Sequence, residues 1–193
     1  AFDYLQRDGD GDPDERTGLR DETGGSVYLR LSTRPVEQAL RTPDPDFAEA
    51  VINGAYWLRE PGPNPDVIIA YQGCVAPEVI EAAGRIGQDR RDIGVLAVTS
   101  ADRLNAGWTA AKRARQRGVS QAGSWIETLL GPVQRDCTIL TVMDGHPLTL
   151  RWLGSAAGLP TIPLGVDHFD PPSTAADPSP HFPLPARPHL PPA

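Results

Sequence analysis

From residue 44 onward the apolar positions alternate between two periods. Asp44 supplies a capping carboxylate and Pro45 suits a first helical turn. Phe47, Val51, Ala55 and Leu58 then recur at helical spacing as far as Pro61-Gly62-Pro63, which predicts one helix over that stretch. Val67-Ile68-Ile69-Ala70-Tyr71 is an unbroken apolar run between Pro65 and Gly73, the pattern of a strand buried on both faces. Pro77 opens a second helix, with Glu78 and Glu81 where the helix dipole favours acids and with Val79, Ala83 and Ile86 along one face. Ile93 to Val98 predicts a second buried strand. Ser100 caps a longer helix that ends in Lys112, Arg113, Arg115 and Arg117 before Gly118, the polarity of a helix C-terminus. Ser124-Trp125-Ile126-Glu127 has the spacing of a capping box, and Gly131-Pro132 stops the short helix behind it. Cys137 to Met143 predicts a third strand, Pro147 starts a helix through Leu150, Leu153 and Ala157, and Thr161 to Val166 predicts a fourth strand. Pro163 places that last strand at a sheet edge, because proline cannot donate to a ladder.

Strands that alternate with helices imply right-handed crossovers. The expected fold class is therefore α/β: an open, mostly parallel sheet of about four to five strands with helices on both faces, spanning residues 44–170. Ahead of it, Val27-Tyr28-Leu29-Arg30-Leu31 alternates as a single strand with no neighbouring partner in sequence, and residues 36–46 read as a linker. Nine of the 21 prolines fall in residues 171–193, a density that no helix sustains, so this segment is expected to be a disordered tail.

Charge sharpens this division. The formal net charge is −7, and residues 6–25 hold seven acids against three arginines. That stretch has Leu19 as its one large apolar residue, so it is expected to be a solvated or disordered loop. The balance argues against nucleic acid as a partner. No apolar run approaches the roughly 18 residues a membrane helix needs, and no basic-then-apolar leader opens the chain. Lys112 is the single lysine among 18 basic residues and lacks the glycine loop that phosphate cradling requires. Cys74 and Cys137, far apart and in surroundings expected to be buried, do not support a disulfide scaffold or a four-ligand zinc site, and a reducing cytoplasm is the expected setting. The chain begins with Ala1 rather than Met, which suggests a processed chain or a fragment.

Candidate chemistry collects at the turns that follow the strands, where open parallel sheets bind their ligands. Asp144-Gly145-His146-Pro147 pairs a carboxylate with an imidazole, and these two are the candidate catalytic residues for acid–base work. The simpler alternative has Asp144 capping the helix and His146 filling the turn. Cys74, after Gly73, sits near a helix start that can lower a thiol pKa, but with no partner base visible an inert buried thiol is the plainer reading. Thr99 and Ser100 complete the row, and capping explains them. Asp8-Gly9-Asp10-Gly11-Asp12 spaces carboxylates as a calcium loop does, yet Pro13 and Leu19 stand where the loop needs glycine and a bidentate glutamate. The same residues include Gly9-Asp10-Gly11, half of a magnesium–thiamine diphosphate motif, but without a preceding buried strand or an asparagine about thirty residues on.

Particular words in the chain carry a resemblance. Gly54-Ala55-Tyr56-Trp57-Leu58, then the run from Val98 through Ser100, Asp102, Leu104 and Gly107 to Trp108, then Asp144-Gly145-His146-Pro147 followed by Trp152-Leu153-Gly154 resemble the C-terminal part of transketolase-like enzymes. The greatest likeness is to the homodimeric pyruvate dehydrogenase decarboxylating component and its transketolase relatives. On this resemblance, residues 1–43 are the end of an upstream pyrimidine-binding domain with its exit linker, and residues 44–170 are a structural, dimer-supporting domain. Thiamine diphosphate and magnesium would be held upstream of Ala1, so the fragment itself has no cofactor-binding residues and no activity. Its partners would be the upstream domains of the same polypeptide and a second subunit of a homodimer. The intact parent would decarboxylate a 2-oxo acid or transfer a two-carbon unit. The proline-rich 171–193 departs from the family, which continues into a glycine-rich turn and a final helix. The alternative is a stand-alone α/β module that binds a small anion or nucleotide at its strand-end turns.

Overall fold

The computed structural model describes residues 44–90 and 92–166, together with Pro35. The expected strand at 27–31, the acidic stretch at 6–25 and the tail at 171–193 lie outside the described residues.

Helix α1 (Pro45–Asn53) begins as its sequence dictates: Asp44 accepts a 2.7 Å hydrogen bond from the Phe47 amide and proline occupies the first turn. It does not run on to Leu58. Gly54 closes it at φ +105°, its amide satisfying the carbonyls of Ala50 and Val51, and the chain leaves as strand β1 (Ala55–Arg59). The spacing of Val51, Ala55 and Leu58 suits a helix, but Ala55 to Leu58 also alternates with period two. Ala55 and Trp57 face one core while Tyr56 and Leu58 face the other. A glycine able to take a left-handed C-cap decides between the two periods.

The remaining elements are β2 (Val67–Gln72), α2 (Ala76–Asp89), β3 (Gly94–Val98), α3 (Ala101–Gln116), α4 (Trp125–Leu130), β4 (Thr138–Met143), α5 (Leu148–Arg151), α6 (Leu153–Ala157) and β5 (Thr161–Leu164). The five strands form one sheet in the order β1-β3-β2-β4-β5. Neighbours pair in parallel except β1, which runs antiparallel to β3 with Ala55 opposite Val98. The sheet is thus open and mostly parallel, and Pro163 lies in the edge strand β5 as its missing amide requires. No helix among the described residues is long and apolar enough to cross a membrane.

Helices cover both faces. Leu104 of α3, Ile126 and Leu130 of α4, Leu150 of α5 and Leu153 of α6 pack on one face against Ile68, Leu96 and Ile139. Val79 and Ala83 of α2 pack on the other against Ile69, Val95 and Val142. Each buried aliphatic side chain contributes roughly 1.5–3 kcal/mol by leaving water. One position runs against this pattern. The Thr141 hydroxyl, in the middle of β4, is buried without a hydrogen-bond partner among the described residues. Such an orphan costs about 1–3 kcal/mol.

The capping box at α4 forms only in part. Ser124 makes no side-chain cap to the helix amides. Its hydroxyl donates instead to Glu127 Oε2 at 2.7 Å, and Glu127 also receives Arg115 from the end of α3 at 2.7 Å. Arg115 reaches the Ala122 carbonyl as well, so one guanidinium ties the end of α3, the following loop and the start of α4. Burial alone would raise the Glu127 carboxyl, but hydrogen bonds from Arg115 and Ser124 outweigh it and hold the group below its ordinary value.

Two outcomes test this account. At Gly54 an added Cβ would stand 2.8 Å from the Ser100 carbonyl oxygen and 2.9 Å from Leu104 Cγ, whereas at Gly73, also left-handed at φ +83°, it would meet nothing within 4 Å. Gly54→Ala should therefore lose about 2–4 kcal/mol in urea unfolding, against about 1 kcal/mol for Gly73→Ala. Because the Glu127 carboxyl is held low in the fold, its stabilisation is complete above the unfolded-state value and is lost as pH falls through the folded one. Glu127→Gln should accordingly flatten the fall of Tm with acid below the ordinary glutamate value of about 4.5 and lower Tm at neutral pH.

Candidate functional site at the carboxyl edge of the sheet

Strands β2 and β4 are neighbours, but their outgoing connections part. β2 leads into α2 on one face of the sheet, and β4 leads into α5 on the other. The two connections therefore diverge at the carboxyl ends of the strands, the switch point where open α/β sheets place ligands. Cys74 and Asp144 stand there.

Gly73 turns the chain sharply out of β2 and presents Cys74 just before α2. The Cys74 thiol donates to Asp144 Oδ2 at 3.2 Å, joining turns 70 residues apart. One sequence-based expectation changes here: Cys74 is not an inert buried thiol, being half-buried with the Asp144 carboxylate as a partner. The expectation that His146 fills the turn is met, and its side chain serves as a cap: Nδ1 accepts the Leu148 amide at 3.3 Å. The hydrogen bond of the imidazole thus goes to its own helix and not to Asp144. Both candidates, Asp144 and His146, are exposed and share one turn, but they do not form an acid–base couple.

The neighbouring turn is occupied by structure. Thr99 Oγ1 donates to the Val51 carbonyl at 2.7 Å, Ser100 Oγ accepts the Arg103 amide at 3.3 Å, and the amides of both residues bond the Gly54 carbonyl. At the end of β2, burial followed by the neighbouring Tyr56 pushes the Tyr71 hydroxyl up to about 12, which keeps it protonated at neutral pH. The second thiol, Cys137, is fully buried. Burial, then the charges of Asp136 and Asp66, raise it to about 11.

What this edge offers chemically is a thiol whose proton points at a carboxylate. Among the described residues no group of three or more His, Cys, Asp and Glu side chains is placed to hold a metal ion. The Cys74–Asp144 pairing escaped sequence reasoning because it depends on sheet order. What the sequence does display is that each residue follows a buried strand at the same offset.

Two shallow grooves lie elsewhere. One, of about 440 Å3, runs along α3 with Trp152 as its wall; the other, of about 570 Å3, lies between α5, α6 and Thr161. Neither is lined by Cys74, Asp144 or His146.

Iodoacetamide should label Cys74 in the native chain and leave Cys137 protected until the fold opens, as peptide mapping would read. Equal labelling of the two would contradict the burial described.

No protein-family model matches the chain, and no curated protein sequence does.

Proposed function

We propose that the chain is the C-terminal, dimer-supporting domain of a thiamine-diphosphate-dependent enzyme of the 2-oxo acid dehydrogenase or transketolase type, and that it braces the domains that carry the chemistry. One observation carries this reading: the words that resemble the family serve packing. Gly54 lies against Ser100 and Leu104 so closely that a side chain there would collide with both. Trp108 and Trp152 stack with ring centroids 5.5 Å apart, and Lys112 sits 4.4 Å over the Trp108 ring. Gly154 lets Thr161 and the Leu159 carbonyl close on α6. Trp57, Leu104, Trp108, Trp152 and Leu153 all belong to or pack on the same core. Segments some fifty residues apart are thus joined through buried contacts, and their polar residues Thr99, Ser100 and His146 are spent on backbone hydrogen bonds, Thr99 to Val51 across the fold and the other two within their own turns. This is the distribution expected of a scaffold.

The reading assigns catalysis, thiamine diphosphate and magnesium to residues upstream of Ala1, and it leaves Asp144 and His146 without a catalytic role. Isothermal titration of thiamine diphosphate with magnesium into the chain should release no heat of binding, and saturable binding would overturn the assignment. The coding sequence upstream of Ala1 should read in frame through a buried strand, Gly-Asp-Gly and an asparagine about thirty residues on. An upstream frame without that order would overturn the parent enzyme class.

A further inference from the structure

Toward the end of α3 the surface becomes single-signed around an aromatic pair. Lys112 stands 4.4 Å over the Trp108 ring, Trp108 stacks on Trp152 at 5.5 Å, and Trp152 is flanked by Arg113 in one groove and by Arg151 in the other. Arg117 follows Arg113 one turn on. All four cations are exposed, and none has an ion-pair partner among the described residues, whereas Arg115 on the same helix is held by Glu127. Asp102 is the one carboxylate that lines either groove. It lies eleven residues back from Arg113, about 16 Å along the helix.

The helix dipole favours cations in the last turn of α3, but it does not bring Arg151 of α5 to the same indole. Cations gathered without counter-charges repel one another, so a run of anions laid across them is bound favourably. The chain carries such a run itself. From Asp8 to Glu15 there are five acids and no base. Between Glu15 and Asp44 lie 28 residues, which at about 3.3 Å each span up to roughly 90 Å, far beyond the radius of gyration of about 14 Å expected for a domain of this size. Every point of the cationic face is within reach.

We propose that the cationic face around Trp108 and Trp152 is a docking surface whose occupant is the acidic segment 8–15 of the same chain. Attachment makes the association intramolecular, which gives this segment an advantage in effective concentration over any free polyanion of similar charge. An occupied face is screened from nucleic acid and other polyanions. The inference goes beyond the scaffold role and does not rest on thiamine chemistry. The upstream sequence and the cofactor titration can fail while this contact stands, and the reverse.

Lys112 is the single lysine of the chain, so zero-length coupling reads the contact directly. A carbodiimide joins a carboxylate to an amine touching it, forming an amide while the reagent takes up the water as a urea. Peptide mapping of the full chain at low salt should find Lys112 Nζ joined to a carboxylate between Asp8 and Glu15. In a mixture of 14N- and 15N-labelled protein the link should fall within one chain, and its yield should drop about fivefold or more in 0.5 M NaCl, where the Debye length is about 4 Å. Added ethanolamine shows that the segment was activated. If ethanolamine labels residues 8–15 while Lys112 couples to nothing, to other carboxylates only, or to a second copy, the proposal is overturned. Heparin, used as a polyanion probe, gives a second readout. D8N/D10N/D12N/D14N/E15Q should tighten heparin binding about tenfold, and most of that gain should vanish in an R113A/R117A/R151A background. An equal gain in both backgrounds reports net charge alone and overturns the screening.

Discussion

The structure depends on burying β2 on both faces and along both edges. Ile68 and Ala70 are wholly buried on one side and Ile69 nearly so on the other, while the backbone is bonded to β3 on one edge and to β4 on the other. A strand with no wet surface cannot be joined to parallel neighbours by hairpins, so each connection must cross over the sheet, and each crossover lays an apolar helix face on it. The distribution of helices follows. α2 covers the side reached by the connection to β3, and α3 through α6 cover the other. The single stretch of chain from β3 to β4 must pass over β2, which is why the carboxyl ends of β2 and β4 diverge and why Cys74 meets Asp144 there.

Where the sheet stops is decided differently at its two edges. Pro163 in β5 gives up an amide and can tolerate no further partner on that side. At the opposite edge β1 runs against the others, an orientation that Gly54 permits by reversing the chain within one residue. Trp125 donates its indole N–H to the Ala55 carbonyl at 2.8 Å, so the covering helix α4 also bonds this edge strand. Edges blunted by proline and covered by an indole leave little backbone free for chance strand addition.

Most of this architecture was legible because its signals are local and strong. Unbroken apolar runs bounded by proline or glycine mark β2, β3 and β4, and Asp44 and Ser100 are caps that the structure retains. The antiparallel edge strand was hidden because Ala55, Tyr56, Trp57 and Leu58 satisfy two periods at once. The outcome rests on the conformation of Gly54 and on the fit of Trp57 against the core, and neither is a pattern. At Ser124 the spacing was right but the partner was not, since Arg115 arrives from another helix and recruits Glu127. Asp144 and His146 share one turn after β4, but who touches whom there depended on strand order, which no single sequence window contains.

The carboxyl edge and the α3 face pose opposite electrostatic problems. At the edge, an exposed carboxylate beside a half-buried thiol gives no reason to attract an anion, and a helix start nearby does not change the sign of Asp144. The groove on α3 instead holds one charge of each sign, held apart by the length of the helix and separated by small side chains. A site that binds a small ion concentrates one sign of charge. The polar groups at the described turns are largely consumed in holding the backbone around them, and the mixed charge of the α3 groove gives it no preference for an ion of either sign.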